Sequence, residues 1–321
     1  MKNPRPITSS GPGDGYQPVR FLQPLLLGAF ENAAPGFFDL LQEQVRYNGA
    51  NPAVTYDMDP LPADGPHIEG VDGTIYLRES FLSYLWGVSY AGLVIYDETI
   101  VRPRITPEYV RSAEQQKLIT GAVGVFKYAL SLTRRYSHWP LEQLPNPERY
   151  SEQETFYVEK TDAVFVMATV FVLIHEYAHF FLGHLESDAA GIVQTSTERK
   201  ADETAADRFA IQTMLEGAAI ADPQTANTIR CGIVVGLGAI LLPHQNLDGG
   251  DEHPDPHLRL NAGIQLLELT ADDNLWGIGA MMLALWAMAN DKPPIGGYDY
   301  DSLQQLLTIS LDQLSDPRYQ L

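Results

Sequence analysis

Residues 161–184 read TDAVFVMATVFVLIHEYAHFFLGH, and the fold turns on this stretch. Val, Ile, Leu, Phe, Met and Ala fill nearly every position from Ala163 to Ile174, so no polar face is left for water. A helix that is apolar all round belongs inside a protein or inside a bilayer. The unbroken run is shorter than the ~20 residues that cross a hydrocarbon core, which predicts a buried core helix. Gly183 is placed to cap its C-terminal end.

The apolar run passes straight into His175-Glu176-Tyr177-Ala178-His179. Residues four apart on a helix share one face, so both imidazoles can reach a single ion. Glu176 is turned about 100° from His175, where it can meet a water molecule without being a first-choice ligand. Two histidines and a glutamate set into an apolar helix are costly without a partner. A metal ion, with zinc as the expected one, is that partner.

A further protein ligand is expected, with one position left open for water. The segment TERKADETAADRFAIQTMLEG (197–217) predicts a second helix, capped by Thr197 and Gly217. Within it Glu203 and Asp207 lie four apart on one face, 24 residues beyond His179, which allows a turn and an antiparallel return. Glu203 would complete the ligand set, and Asp207 would accept a hydrogen bond from a ligating histidine. An alternative frame opens at Glu198, whose plainer reading is a solvated glutamate favourable to the helix dipole. His184 is out of step with an HExxHxxGxxH ligand pattern, because Leu182 and Leu185 stand where Gly and His are required. It is expected at the helix end, against the last carbonyls.

HExxH followed by a glutamate on a second helix resembles the gluzincin metallopeptidases. ETAADRFA (203–210) is similar to the ExxADxxA segment of the HtpX and CaaX prenyl protease family, and HPDPHLR (253–259) fits its HPxxxxR segment. The resemblance spans roughly residues 161–262. It implies that His253 approaches the metal site and that Arg259 braces the region or contacts substrate. FFLGH, TIYLRESFLSYLW and YAGLVIYDE also resemble the soluble ImmA-type and Lit phage-exclusion peptidases. The Lit likeness implies a single cytosolic host protein cut at one site.

The resemblance implies a zinc-dependent endopeptidase, with zinc on His175, His179 and Glu203 and catalytic roles for Glu176 and His253. Glu176 would take the proton of the attacking water. A tyrosine or histidine donor to the developing oxyanion is expected, with Tyr157 as one guess among sixteen tyrosines. His244 and His257 are expected to be structural or exposed. A different class of reading keeps the zinc but makes the protein a catalytically silent interaction module; Glu176 argues against it, since a structural zinc has no use for that carboxylate.

The rest of the chain sets limits. Its 321 residues carry a formal charge of −20, which repels phosphate backbones and argues against nucleic-acid partners. Cys231 is the one cysteine, so neither disulfides nor cysteine-ligated zinc enter, and a reducing, cytoplasmic setting is expected. Two other apolar stretches, 232–242 and 275–289, are also too short to span a bilayer, so no stable membrane insertion is expected. The glycines of 232–238 are expected to permit close helix packing.

The expected architecture is mainly α (α+β), a zincin-like helical domain with a small β element. Residues 1–20 read as a mobile lead, 21–150 as an N-terminal helical region and 151–321 as the metallopeptidase region, packed as one unit. Helices are expected at 37–47, 78–100, from Pro107 to about 136, at 223–242, from Pro256, at 273–290 and at 301–314. Strands are expected at 53–58 and 73–77 with a loop between, and either strand could guide an extended substrate along the rim.

Overall fold

The stretch at 161–184 forms a helix that begins earlier than expected, running from Thr155 to Phe181 (α5). Its β-branched residues are mediocre helix formers, but burial on nearly every side outweighs intrinsic propensity. The computed structural model describes residues 17–48, 54–69, 74–106, 108–185, 193–297 and 299–320. The other labelled helices are α1 (Leu26–Ala33), α2 (Pro35–Asn48), α3 (Glu79–Tyr96), α4 (Ala113–Arg134), α6 (Ser196–Ile220), α7 (Pro223–Leu241), α8 (Pro256–Gln265), α9 (Asn274–Ala289) and α10 (Leu303–Leu314). The fold is mainly α with a small β element, as the sequence predicts.

Helices α3, α6 and α7 pack directly on α5. Glycine makes the tightest of these approaches possible. A Cβ on Gly232 of α7 would lie 2.4 Å from Met167 Cβ and 2.8 Å from the Ala168 nitrogen of α5. One hydrophobic cluster runs through the protein, from Val19 near the start of the described residues to Tyr319 near their end. Among the described residues, α5 is long and apolar enough to cross a membrane, yet most of its apolar stretch is buried within the protein.

The β element is a three-stranded sheet in the order β1 (Val54–Asp57), β3 (Thr74–Arg78), β2 (His67–Glu69). β1 runs parallel to β3 with Val54 opposite Ile75, and β2 runs antiparallel with Ile68 opposite Ile75. The segment expected to be only a loop thus contains a strand. β3, the predicted 73–77 strand, is central and has a neighbour on both sides, so it cannot take up a substrate strand. The outer strands are β1 and β2.

Several helix ends differ from expectation. Thr195, not Thr197, caps α6: its hydroxyl accepts from the Glu198 N–H while the Glu198 carboxylate accepts from the Thr195 N–H. Gly217 does not end that helix, which continues to Ile220. It lies where an added Cβ would collide with the Ala33 carbonyl of α1. Pro107 lies outside the described residues, and α4 starts at Ala113 behind a capping box made by Ser112 and Gln115. The helix expected over 78–100 is α-helical only to Tyr96, after which Asp97–Val101 form a wider π-turn. Of the expected mobile lead, residues 1–16 lie outside the described residues, while Gln17 and Val19 are buried.

Candidate active site

α5 and α6 lie side by side, which brings two sequence-distant histidines and a glutamate together. His175 Nε2 and His179 Nε2 are 3.3 Å apart. Glu203 reaches both, with Oε2 at 3.5 Å from His175 Nε2 and Oε1 at 3.3 Å from His179 Nε2. One ligand atom from each of the three residues lies within 4.8 Å of the others, so the group can hold a metal ion. The buried alanines Ala206 and Ala210 of α6 take little room between the helices.

The surrounding charges hold this cluster in place. Asp207 Oδ1 sits 3.0 Å from His175 Nδ1, although the ring N–H does not point straight at it. Arg259, at the start of α8, donates to both Asp207 oxygens at 2.8 Å. The same guanidinium lies 3.3 Å from Glu203 Oε2, and His253 Nδ1 lies 3.2 Å from that oxygen. His253 is held by a tight loop in which its N–H donates to Gly249 O and the Gly249 N–H donates to Asp255 Oδ1.

These contacts set the protonation states. Burial disfavours a charged His175, but Asp207 and Glu203 outweigh it and hold its pKa up to about 10. Burial would raise Asp207, yet Arg259 and His175 bring it down to about 2. Burial pushes Glu203 upward as well, and three histidines hold it well below the usual carboxylate range. The cluster is therefore built to carry positive charge between its carboxylates, which a divalent ion supplies as well as a proton does. Two imidazoles and a carboxylate are a donor set that suits zinc.

Above the cluster opens a cleft of about 840 Å³. His175, Glu176, His179, Glu203, His253 and Arg259 all line it, and Asp207 stands behind His175. The seven residues singled out from the sequence thus meet in one place. Burial raises the Glu176 pKa, with His175 and His179 opposing, so this carboxylate can hold a proton more readily than an exposed glutamate. The alternative frame dissolves: Glu198 is engaged in the N-terminal cap of α6, not in the cluster.

A few residues sit elsewhere than expected. Tyr157 is eighteen residues back along α5, about 27 Å from His175. Its hydroxyl donates to Asp97 and Glu98 at the π-turn, far from the cleft. Tyr177 packs edge-on against Phe30 and Phe37. His184 was expected at the last carbonyls, but its Nδ1 lies 3.1 Å from His179 Nδ1. His244 agrees with the expectation of a structural or exposed residue: it is partly exposed along the cleft, and its carbonyl accepts from Trp286 Nε1 and Asn290 Nδ2. His67 on β2 lines the cleft too and came from no sequence signal, since a three-residue strand is too short to alternate.

The family model described as Peptidase U49 matches residues 75–279, which contain both helices of the cluster, His253 and Arg259. The chain belongs to the peptidase U49 family. As a member, the protein is a peptidase, and its substrate is a protein or peptide. The match runs from β3 into α9, so the family's shared region takes in the central strand of the sheet, the HExxH helix and the Glu203 helix, while β2 precedes it. Comparison with curated proteins and with solved structures found no match.

Proposed function

We propose that this U49 peptidase is a zinc-dependent endopeptidase of the gluzincin type, cutting a peptide bond in a protein substrate. The observation that carries the reading is the convergence of His175, His179 and Glu203 from two helices at the floor of a cleft. Zinc bound there would supply Lewis acidity toward a water molecule and the scissile carbonyl.

The residues of the chain divide the remaining work. Glu176, lining the cleft next to the ligand histidines, takes the proton of the attacking water and passes it to the leaving amine. Its raised pKa favours the first of these steps, because a carboxylate that protonates more readily is the stronger base. Of the cleft's polar groups, the Tyr84 hydroxyl already donates to the Ala239 carbonyl. His253, half exposed in the cleft and 3.2 Å from Glu203, is the better donor to the developing oxyanion. Arg259 keeps Asp207 and Glu203 aligned behind the ligands.

The substrate runs extended beside β2. That outer strand lines the cleft through His67 and Ile68, so a peptide added alongside it would lengthen the sheet and pass Glu176. The buried, lone Cys231 fits a reducing compartment, and we extend the reading to a cytoplasmic enzyme. A catalytically silent zinc module is disfavoured by Glu176, a carboxylate in the cleft for which such a module has no use.

The test is incubation of zinc-loaded protein with cell lysate, in parallel with Glu176→Gln, followed by sequencing of new protein termini. Termini unique to the unsubstituted protein are expected. Full activity in Glu176→Gln would overturn the mechanism.

A further inference from the structure

We propose that His184 is a positioning residue for His179: its ring fixes which nitrogen of His179 carries the proton and so which one is offered to the metal. The inference rests on the zinc reading above and assigns a role to a residue outside the ligand set.

His184 stands just past the end of α5, beyond Gly183, whose φ of 77° is left-handed. Beyond that turn the His184 ring lies edge-on to His179. His184 Nδ1 lies 3.1 Å from His179 Nδ1, and His184 Nε2 lies 3.5 Å from Asp202 Oδ1. The side chain is only 12% exposed, so the ring is enclosed between its two neighbours. A histidine serving the helix's last carbonyls would turn its nitrogens toward them. Here one ring nitrogen faces a ligand and the other a carboxylate.

The chemistry of a neutral imidazole sets the rest. His179 faces Glu203 with Nε2, so that nitrogen must be unprotonated to bind a metal and Nδ1 must carry the proton. A proton on Nδ1 of a side chain only 14% exposed needs an acceptor, and His184 Nδ1 lies within hydrogen-bond range of it. His184 accepts there only when its own proton is on Nε2, toward Asp202, whose negative charge favours that arrangement. Asp202 is itself held, because its Oδ2 accepts from Gln194 Nε2 at 2.8 Å. The order is Gln194, Asp202, His184, His179.

The same helix thus serves both ligand histidines. α6 supplies Glu203 as ligand, Asp207 one turn later directly behind His175, and Asp202 one residue earlier behind His179 through the ring of His184.

The experiment measures zinc affinity by competition with a chelator for the unsubstituted protein, His184→Ala, His184→Asn, Asp202→Asn and His179→Ala. Turnover and the imidazole nitrogen signals of the zinc-loaded forms are recorded in parallel. His184→Ala is expected to weaken zinc binding roughly 10–100-fold, the range for removing a partner behind a metal-bound histidine. His184→Asn, whose amide oxygen can accept the same proton, is expected to recover most of that loss. Asp202→Asn is expected to weaken binding by less, and it reads the same chain of contacts if His184→Ala fails to fold. In the unsubstituted protein His179 should show a protonated Nδ1, with its exchange protection reduced in His184→Ala. Unchanged zinc affinity in both His184→Ala and Asp202→Asn, with zinc still lost in His179→Ala, overturns this inference and leaves the zinc reading standing. Absence of zinc binding in the unsubstituted protein overturns both.

Discussion

Arg259 holds both oxygens of Asp207 at 2.8 Å, and the two residues lie fifty-two positions apart in the chain, on different helices. The pair is buried, and the guanidinium also lies 3.3 Å from Glu203. Removing one partner of such a pair leaves a buried charge uncompensated, which costs about 3–5 kcal/mol. Arg259→Ala is therefore expected to unfold at a markedly lower temperature. Arg259→Lys keeps the charge but loses the two-pronged geometry. It is expected to fold with a smaller loss of stability and to bind zinc more weakly, since Glu203 and Asp207 are no longer aligned together. Thermal unfolding and chelator competition on the two variants separate charge from geometry. Equal zinc affinity in Arg259→Lys and the unsubstituted protein would count against an aligning role.

Metal removal should be visible in stability. The cluster sets Glu203 and Asp207 around His175, and Glu176 lines the cleft beside them. A ligand that binds only the folded state adds about 2.7 kcal/mol when its concentration is a hundred times its Kd. Dialysis against a chelator is expected to lower the melting temperature by several degrees, and zinc should restore it. Magnesium should not, since it prefers oxygen ligands in octahedral geometry. A melting temperature unmoved by chelator and by zinc would contradict the metal reading.

Gly232 gives a test of packing away from the chemistry. Its missing Cβ lets α7 approach the backbone of α5 at Met167 and Ala168. The obstruction that an added methyl would meet is largely backbone, which cannot rotate aside. Gly232→Ala would gain intrinsic helix propensity, about 1 kcal/mol, but overpacking costs typically 1–3 kcal/mol. A net loss of stability is expected, with zinc content per folded chain unchanged. A more stable Gly232→Ala would show that the helices can separate without penalty.

How much of this was readable in advance depends on the range over which each signal acts. The HExxH helix and the Glu203 helix were legible because local periodicity and ligand spacing state them outright. The N-cap of α6 was also legible, though misassigned: Thr195-Ser196-Thr197-Glu198 carries the capping-box spacing from Thr195, whereas Thr197 is merely the nearer threonine. Gly217 looked like a helix end because glycine often is one. Its role comes from Ala33, a contact made across the whole fold. β2 was hidden since three residues cannot show alternation, and its pairing depends on β3. His184 was hidden for a geometric reason. Its place beside His179 follows a left-handed turn at Gly183, which the ligand spacing does not describe.

The two ExxAD frames in α6 allow the last prediction to separate a ligand from a cap. Glu203 contacts His175, His179, His253 and Arg259, and is largely buried. Glu198 is fully exposed, and its carboxylate accepts from the Thr195 backbone and hydroxyl. Glu203→Gln keeps the shape but removes the negative oxygen that faces both histidines. Zinc affinity is expected to fall by orders of magnitude, and turnover with it. Glu198→Gln retains a capping-box side chain, so zinc affinity and turnover should both stay near those of the unsubstituted protein. Glu198→Ala should loosen the first turn of α6, measurable as faster amide hydrogen exchange at residues 196–199, while zinc is still bound. Should Glu198→Gln instead lose zinc while Glu203→Gln retains it, the ligand belongs to the earlier frame and α6 must bind the metal in a different register.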